Sequence, residues 1–498
     1  MATTTPSNVI IIHPDLGIGG AERLIIDVAL ALQNRGHQVT IYTSHRDKSH
    51  CFEEARDGTL DVRVRGNTVF PALFCGRFHL LMAMLRQLHL TASVLSEMGR
   101  TGKKDTTTTA TTSKEEFRDD IFIIDQLPAC VPILKWFGER FAALSSSSTK
   151  NKQRILFYCH FPDQLLARRN EGGSALRLLK GAYRYPLDWF EGWAMSASDK
   201  VVANSNFTKG VVRNVFGSER LGDVSVVYPC VDTKESSEGK QEEHVDEGNG
   251  LWGGKKILLS INRFERKKGI DLAIRAYNGL SAQDRTGTRL VIAGGYDNRV
   301  QENVQYHKEL NELALGFGLQ TVTTKTVISA LSIPDSIDVL FLLSVPSAFR
   351  DTLLHHSKLL LYTPVNEHFG IVPVEAMHAG LPVLASNTGG PLESIIEDKT
   401  GWLRDTKNVD EWTAIMRRVL VDLTDADLQD MARNGVDRVE SEFSLRALED
   451  KLEGEVQGML GVARRPFVDV QQVLVIFLFS GIIGAVAVAL VLRSLRNV

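Results

Sequence analysis

The chain has 498 residues and a formal net charge of −3, with acids and bases mixed throughout. That length suits two large domains or three smaller ones, and that charge gives no global pull toward nucleic acid. Five scattered cysteines, Cys51, Cys75, Cys130, Cys159 and Cys230, form no CxxC pair, so they suggest neither a disulfide framework nor a zinc site and fit a reducing compartment.

The N-terminal "MATTTPSNVI" has no basic stretch before its apolar run, which is too short for a signal peptide and reads as a first strand. The stretch "VIIIHPDLGIGGAERLIIDVALALQNRGHQVTIYTS" reads as strand, Gly-rich loop, helix and strand. Leu24, Ile25, Val28 and Leu32 recur at helical spacing. Segment 70–95 is apolar but carries Arg77 and Arg86. It is either an interfacial helix or an ordinary amphipathic helix of the fold. Further strands are expected at "DIFIID", "RILFYCH", "KVVANS" and "SVVYP". Low-complexity insertions near 99–119 and 144–153 have too little apolar content to pack.

A polar linker at 234–250 precedes a second series, with strands at "KILLSINRF", "TRLVIAGG", "VLFLLSVP", "KLLLYTP" and "LPVLAS". The expected fold is α/β, with two Rossmann-like, doubly wound domains, 1–233 and 251–462, and a cleft between them. Ligands of such sheets bind at the carboxyl ends of the strands. The charge-free segment 473–492, flanked by Arg464, Arg465, Arg493 and Arg496, has the length of a transmembrane helix, expected over 470–493.

Several polar residues fall where the strand-end rule places a ligand. "NEHFGIVPVEAM" puts Glu367 in a loop and Glu375 in the helix that follows. Phe369, Gly370 and Ile371 stand at that helix's start, where backbone N–H groups favour an anion. A carboxylate there can accept hydrogen bonds from vicinal hydroxyls, although a solvated helix face would look the same. Arg263 and Lys268 in "INRFERKKG" can neutralise a diphosphate, each contact contributing roughly 1.5–3 kcal/mol. Alone, that loop reads as a solvated basic turn. Gly17, Gly19 and Gly20 in "DLGIGGAE" do not match GxGxxG but still allow close backbone approach. "NTGGPLESI" supplies a further pair, Gly389 and Gly390.

Taken together, "GIGGAE", "CHFPD", "VVANSNFT", "INRFERKKGIDLAIRAY", "NEHFGIVPVEAM" and "GLPVLASNTGGPLESI" resemble the retaining glycosyltransferases of family 4, of GT-B fold. The resemblance covers almost the whole chain before its C-terminal apolar segment. "HPDLGIGGAERL" and "YCHFPDQLLARR", with that apolar segment, resemble more narrowly the fungal GDP-mannose-dependent α-1,3/1,6-mannosyltransferases of the dolichol-linked N-glycan pathway. This resemblance implies an acceptor-side domain before the linker and a nucleotide-sugar domain after it. It implies Glu375 on the donor ribose, Glu367 near the donor sugar, and Arg263 with Lys268 on the diphosphate. His160 would lie beside the donor mannose, and Gly17 and Asp163 on the acceptor side. From the residues alone, His160 reads as a packed strand-end histidine.

The donor would be GDP-mannose, the acceptor a dolichyl-diphosphate-linked oligosaccharide, and the site the cytosolic face of the endoplasmic reticulum membrane. Other dolichol-pathway mannosyltransferases are candidate partners; nucleic acid is not. No DxD triplet accompanies these motifs, so no metal or other cofactor is expected for the chemistry. The motifs themselves specify neither the base nor the sugar. Two alternatives stand beside this reading: a GT-B enzyme with another donor or lipid acceptor, and a non-catalytic membrane-anchored partner of such transferases.

Overall fold

The computed structural model describes residues 6–67, 69–71, 79–104, 120–144, 153–166, 174–233 and 251–463. They divide into two compact units, Met1–Val227 with Leu448–Val498, and Tyr228–Ala447.

The first unit is built on seven strands: β1 (Asn8–Leu16), β2 (Gln38–Arg46), β3 (Asp61–Val64), β4 (Asp120–Asp125), β5 (Arg154–Cys159), β6 (Lys200–Ala203) and β7 (Val224–Val226). They pair in the order β3-β2-β1-β4-β5-β6-β7, every pair parallel. The order reverses between β1 and β4, a topological switch point of the kind that binds ligands outside the strand ends. β1, β4 and β5 are runs of buried aliphatic residues because helices cover both faces of a parallel sheet. The helix Gly20–Asn34 buries Leu24, Ile25, Val28 and Leu32, as their spacing predicts.

The helix His79–Lys104 settles the two readings of 70–95 for its described part. It buries Met82, Met84, Leu90, Val94 and Leu95, and its buried Gln87 donates to the Leu127 carbonyl at 2.6 Å. It is a helix of the fold, and it runs on to Lys104, into the expected insertion. Residues 105–119 and 145–152, and the linker 234–250, lie outside the described residues.

The last helix, Leu445–Gly461, belongs to the first unit from Leu448 onward. His37 shows why. Its Nδ1 accepts from the Ser7 N–H at 3.1 Å, so Nε2 carries the proton and donates to Glu453 at 2.8 Å, both side chains buried. Lys200 pairs with Glu455 at 2.9 Å on the same helix.

The second unit repeats the architecture with β8 (Lys256–Ile261), β9 (Thr288–Gly294), β10 (Thr321–Thr324), β11 (Val339–Leu343), β12 (Ser357–Tyr362), β13 (Val383–Ser386) and β14 (Gly401–Arg404). The order is β10-β11-β9-β8-β12-β13-β14, again all parallel, with the switch between β8 and β12. Its core includes the fully buried Trp402, Trp412, Phe341 and Tyr277. Among the described residues no helix is long and apolar enough to cross a membrane; the segment 473–492 lies outside them.

Candidate functional site

In the second unit, the loops that leave β8 and β12 flank the switch point. They carry Arg263, Lys268 and Glu367. After β8 the chain turns through the short helical segment Arg266–Lys268 to Gly269, whose φ of 59° lies in the left-handed region. The Thr363 hydroxyl donates to the Lys268 carbonyl at 2.7 Å, tying the β8 loop to the end of β12. Lys268 Nζ then reaches Glu367 Oε2 at 2.5 Å, with the two side chains 15% and 25% exposed. An ammonium has three donors, so two remain on Lys268 after this pair. Arg263 is 70% exposed and only loosely paired with Glu265 at 3.5 Å.

Glu367 has a second support. The buried Tyr362 phenol is its neighbour; burial, then the Glu367 carboxylate, push that phenol upward, so it stays protonated beside the carboxylate. The glycine pair after β13 proves to be a buttress for this loop. The Gly390 N–H donates to the Glu367 carbonyl at 2.8 Å, and a Cβ on Gly390 would stand 2.0 Å from the Phe369 carbonyl oxygen. Gly389 has a φ of 74°, and the Thr388 hydroxyl accepts from the Asn366 N–H at 3.0 Å.

The helix Ile371–His378 begins after Gly370, which has a φ of 85°, and carries Glu375 on its second turn. Arg350, on the helix Ser347–His356 after β11, donates to Glu375 Oε1 at 2.7 Å. Glu375 Oε2 is buried and has no hydrogen-bond partner. A buried carboxylate oxygen without a donor is uncommon in a folded protein, and a ligand hydroxyl would satisfy it. Phe369 is only 4% exposed, its ring packed near Tyr228 and Phe443 with centroids 5.7 Å from each. Its side chain is therefore core, leaving its backbone for a ligand. Gly370 and the half-buried Ile371 stand at the helix start as the sequence suggests.

In the first unit the strand register brings together a cluster that the sequence does not announce. Ile12 pairs with Ile124, and Asp125 with Tyr158, so His13, Asp125 and His160 line up across β1, β4 and the end of β5. His13 Nδ1 lies 2.9 Å from both Asp125 oxygens, and His160 Nε2 lies 3.0 Å from Asp125 Oδ2. Burial pushes the Asp125 carboxyl up, but His13 and His160 outweigh it and the net shift is down. Burial likewise works against a charge on His13, and Asp125 overcomes it, so that ring titrates above its ordinary range.

Gly17, Gly19 and Gly20 follow β1. A Cβ at Gly17 or Gly20 would meet nothing within 4 Å, while Glu22 folds its carboxylate over Gly19. Asp163 opens the short helix Asp163–Leu166, with its carboxylate held by Arg184 at 2.8 Å. Its N–H donates to the buried Glu191 at 2.7 Å.

Sequence reasoning missed His13, Asp125, Tyr362 and Arg350. A signal existed for His13, a histidine closing the apolar run "VIIIH", and for Asp125, which closes "DIFIID" in the same way. Arg350 has none, because only the fold brings the β11 helix to Glu375.

A family model described as Glycosyl transferases group 1 matches residues 241–436, and one described as Glycosyltransferase Family 4 matches residues 18–92 and 135–235. Alpha-1,3/1,6-mannosyltransferase alg-2 of Neurospora crassa is 46% identical over 455 residues, 91% of this chain and 90% of that one. The chain belongs to the α-1,3/1,6-mannosyltransferase family. Family members from Rhizomucor pusillus and Saccharomyces cerevisiae are 43% and 41% identical, over 91% and 90% of this chain and 91% and 84% of theirs. Among solved structures, sucrose-phosphate synthase from Thermosynechococcus elongatus has a TM-score of 0.60 at 16% identity, covering 92% of this chain and 100% of its own. Anabaena Alr3699/HepE gives 0.57 at 17%, over 91% and 100%. These two likenesses establish the GT-B-like fold. The chain is thus a glycosyltransferase, and a purely non-catalytic partner role is set aside.

Proposed function

We propose that this protein is a retaining mannosyltransferase that adds the second (α-1,3) and third (α-1,6) mannoses from GDP-mannose to the dolichyl-diphosphate-linked oligosaccharide precursor of N-glycosylation. Membership of a family whose members carry that double linkage in their names supports the reaction. The single structural observation that carries the donor reading is the pairing of Lys268 with Glu367 at the switch point of the second sheet.

On this reading Lys268 keeps Glu367 and turns its two remaining protons to the donor diphosphate. Arg263, exposed and weakly paired, swings to the same group at little cost. Charge grows on the diphosphate as the glycosidic bond breaks, so both cations act most strongly at the transition state. Glu367, steadied by Tyr362 and the Gly390 N–H, lies near the donor sugar. Glu375 offers Oε2 to the ribose hydroxyls while Arg350 holds Oε1. Backbone N–H groups at Phe369–Gly370–Ile371 assist the diphosphate. His160 lies beside the mannose, Gly19 and Gly20 approach the donor, and Gly17 and Asp163 serve the acceptor side. The leaving phosphate itself is the base, and the acceptor hydroxyl attacks from the same face. With two cations on the diphosphate, no metal or other cofactor is required for the chemistry.

We also propose that 470–493 anchors the protein in the endoplasmic reticulum membrane with both units on the cytosolic face, near other dolichol-pathway mannosyltransferases. The charge-free run 473–492 with arginines on both sides supports this. The test is incubation of the purified full-length protein with radiolabelled GDP-mannose and mannosyl-chitobiosyl-diphosphate-lipid, followed by linkage analysis. The expected products carry one α-1,3 and then one α-1,6 mannose. Transfer from another nucleotide sugar in preference, or no transfer at all, refutes the proposal.

A further inference from the structure

The cluster at the end of β1, β4 and β5 contains two buried groups that the proposed mechanism leaves idle. His13 and Asp125 are fully buried, and only His160, 17% exposed, reaches toward the surface at the sheet's carboxyl edge. Both nitrogens of His13 face acceptors. Nδ1 meets the Asp125 carboxylate, and Nε2 lies 3.1 Å from the Asp15 carbonyl. Neither partner has a proton to give, so the His13 ring carries both of its own and is a buried cation. A buried ion pair is a weak source of stability, because its desolvation offsets its attraction, and apolar residues of like volume often serve as well. Its position therefore calls for another reason.

That reason is visible in the hydrogen bonds. Asp125, ionised and paired with His13, can only accept. It therefore fixes Nε2 of His160 as the nitrogen that bears hydrogen. Nδ1 of His160, which has no hydrogen-bond partner among the described residues, is left with its lone pair for a hydroxyl. The Tyr158 ring, 5.4 Å away and tilted by 41°, limits rotation of the imidazole. We propose that Asp125 is a positioning residue for sugar transfer, acting through His160, and that His13 holds Asp125 for that task. The arrangement gives His160 one direction in which to receive a sugar hydroxyl. This inference rests on the reading that places His160 beside the donor mannose.

Carboxylates that orient histidines at metal centres show the size of such effects: removing one costs about 10–100-fold. The experiment uses the full-length protein and four forms: wild type, His160→Ala, Asp125→Asn and the double variant. Turnover and KM for donor are measured for each, with thermal melting as a control. Histidine side-chain 15N resonances report the tautomer. Asp125→Asn is expected to lower kcat by about 10–100-fold and to shift His160 away from the Nε2–H tautomer, with a lower melting temperature because the buried His13 cation loses its partner. In the double variant Asp125→Asn is expected to add nothing to the loss from His160→Ala. An equal further loss in that background, or an unchanged His160 tautomer, overturns the proposal alone. Normal transfer by His160→Ala overturns the reading of His160 and this inference with it. If Asp125→Asn fails to fold, the charge-balanced pair His13→Gln with Asp125→Asn replaces it, and the same two readouts decide.

Discussion

Replacing Lys268 by alanine separates chemistry from stability. The ammonium lies 2.5 Å from Glu367 Oε2, but both side chains keep contact with solvent, at 15% and 25% exposure. A partly solvated pair of this kind contributes about 1 kcal/mol or less to folding. Glu367 would also keep the protonated Tyr362 phenol beside it, and its carbonyl the bond from Gly390. The melting temperature should therefore move by a few degrees at most. A diphosphate that gains charge as it leaves is a different matter. One missing charge-assisted contact costs roughly 1.5–3 kcal/mol, or ~10–150-fold in rate, and single oxyanion donors elsewhere cost about 100–1,000-fold in kcat. We expect Lys268→Ala to lose about 100-fold in kcat at saturating donor, with a smaller change in donor KM. The assay is initial-rate transfer of radiolabelled mannose to the lipid acceptor, with circular dichroism on the same samples. A kcat within threefold or so of wild type would show that the developing charge is met elsewhere and refute the assignment.

Two further outcomes are expected, one in each unit. Glu375→Gln keeps an oxygen for Arg350 but puts an amide where Oε2 stands. It should raise donor KM about tenfold, as expected for one charge-assisted bond, and leave acceptor KM unchanged; a defect confined to the acceptor would misplace Glu375. Burial pushes the Glu191 carboxyl up to about 7, with Asp163 and Asp188 adding to the shift and the N–H groups of Asp163 and Gln164 opposing it. The folded protein then keeps a proton that the unfolded chain releases near its ordinary value of ~4.3, so this contribution is full below that pH and is lost as pH rises through the folded value. Urea midpoints between pH 5 and 8 should fall more steeply for wild type than for Glu191→Gln, and a steeper fall in the variant would contradict the shift.

The two α/β series were legible because parallel strands buried on both faces read as unbroken apolar runs. β1, β4, β5, β8, β9, β11, β12 and β13 all announce themselves in this way. The edge strands β3, β10 and β14 do not. "DVRV", "TVTT" and "GWLR" are four residues each, and at a sheet edge a short polar strand carries little apolar signal. The return of the last helix to the first unit depends on His37 meeting Glu453, 416 residues away, which no local pattern encodes. Of the candidate site, Arg263, Lys268 and Glu367 were readable because each sits in the loop after a strand, and Glu375 because it sits in the helix that follows such a loop. Their supports were not: Tyr362 lies inside an apolar strand, Gly390 looks like a plain loop glycine, and Arg350 arrives from a different crossover.

The two sheets put polar groups at the same place, beside the strand where their order reverses, but commit them differently. In the first unit the charges are spent on each other: His13 and Asp125 are buried and mutually satisfied, and the group presented outward is a single imidazole with a fixed tautomer. In the second the cations stay available, Lys268 with donors to spare and Arg263 largely in solvent. On the proposed reading the difference follows from what each must recognise. A sugar hydroxyl is neutral and weakly held, so discrimination depends on direction, and direction requires a rigid support. A diphosphate is highly charged and changes its charge during the reaction, so it is best met by cations that can gather as the bond breaks. Locking Arg263 as firmly as His13 would gain geometry that the diphosphate does not need, at the cost of the movement that it does.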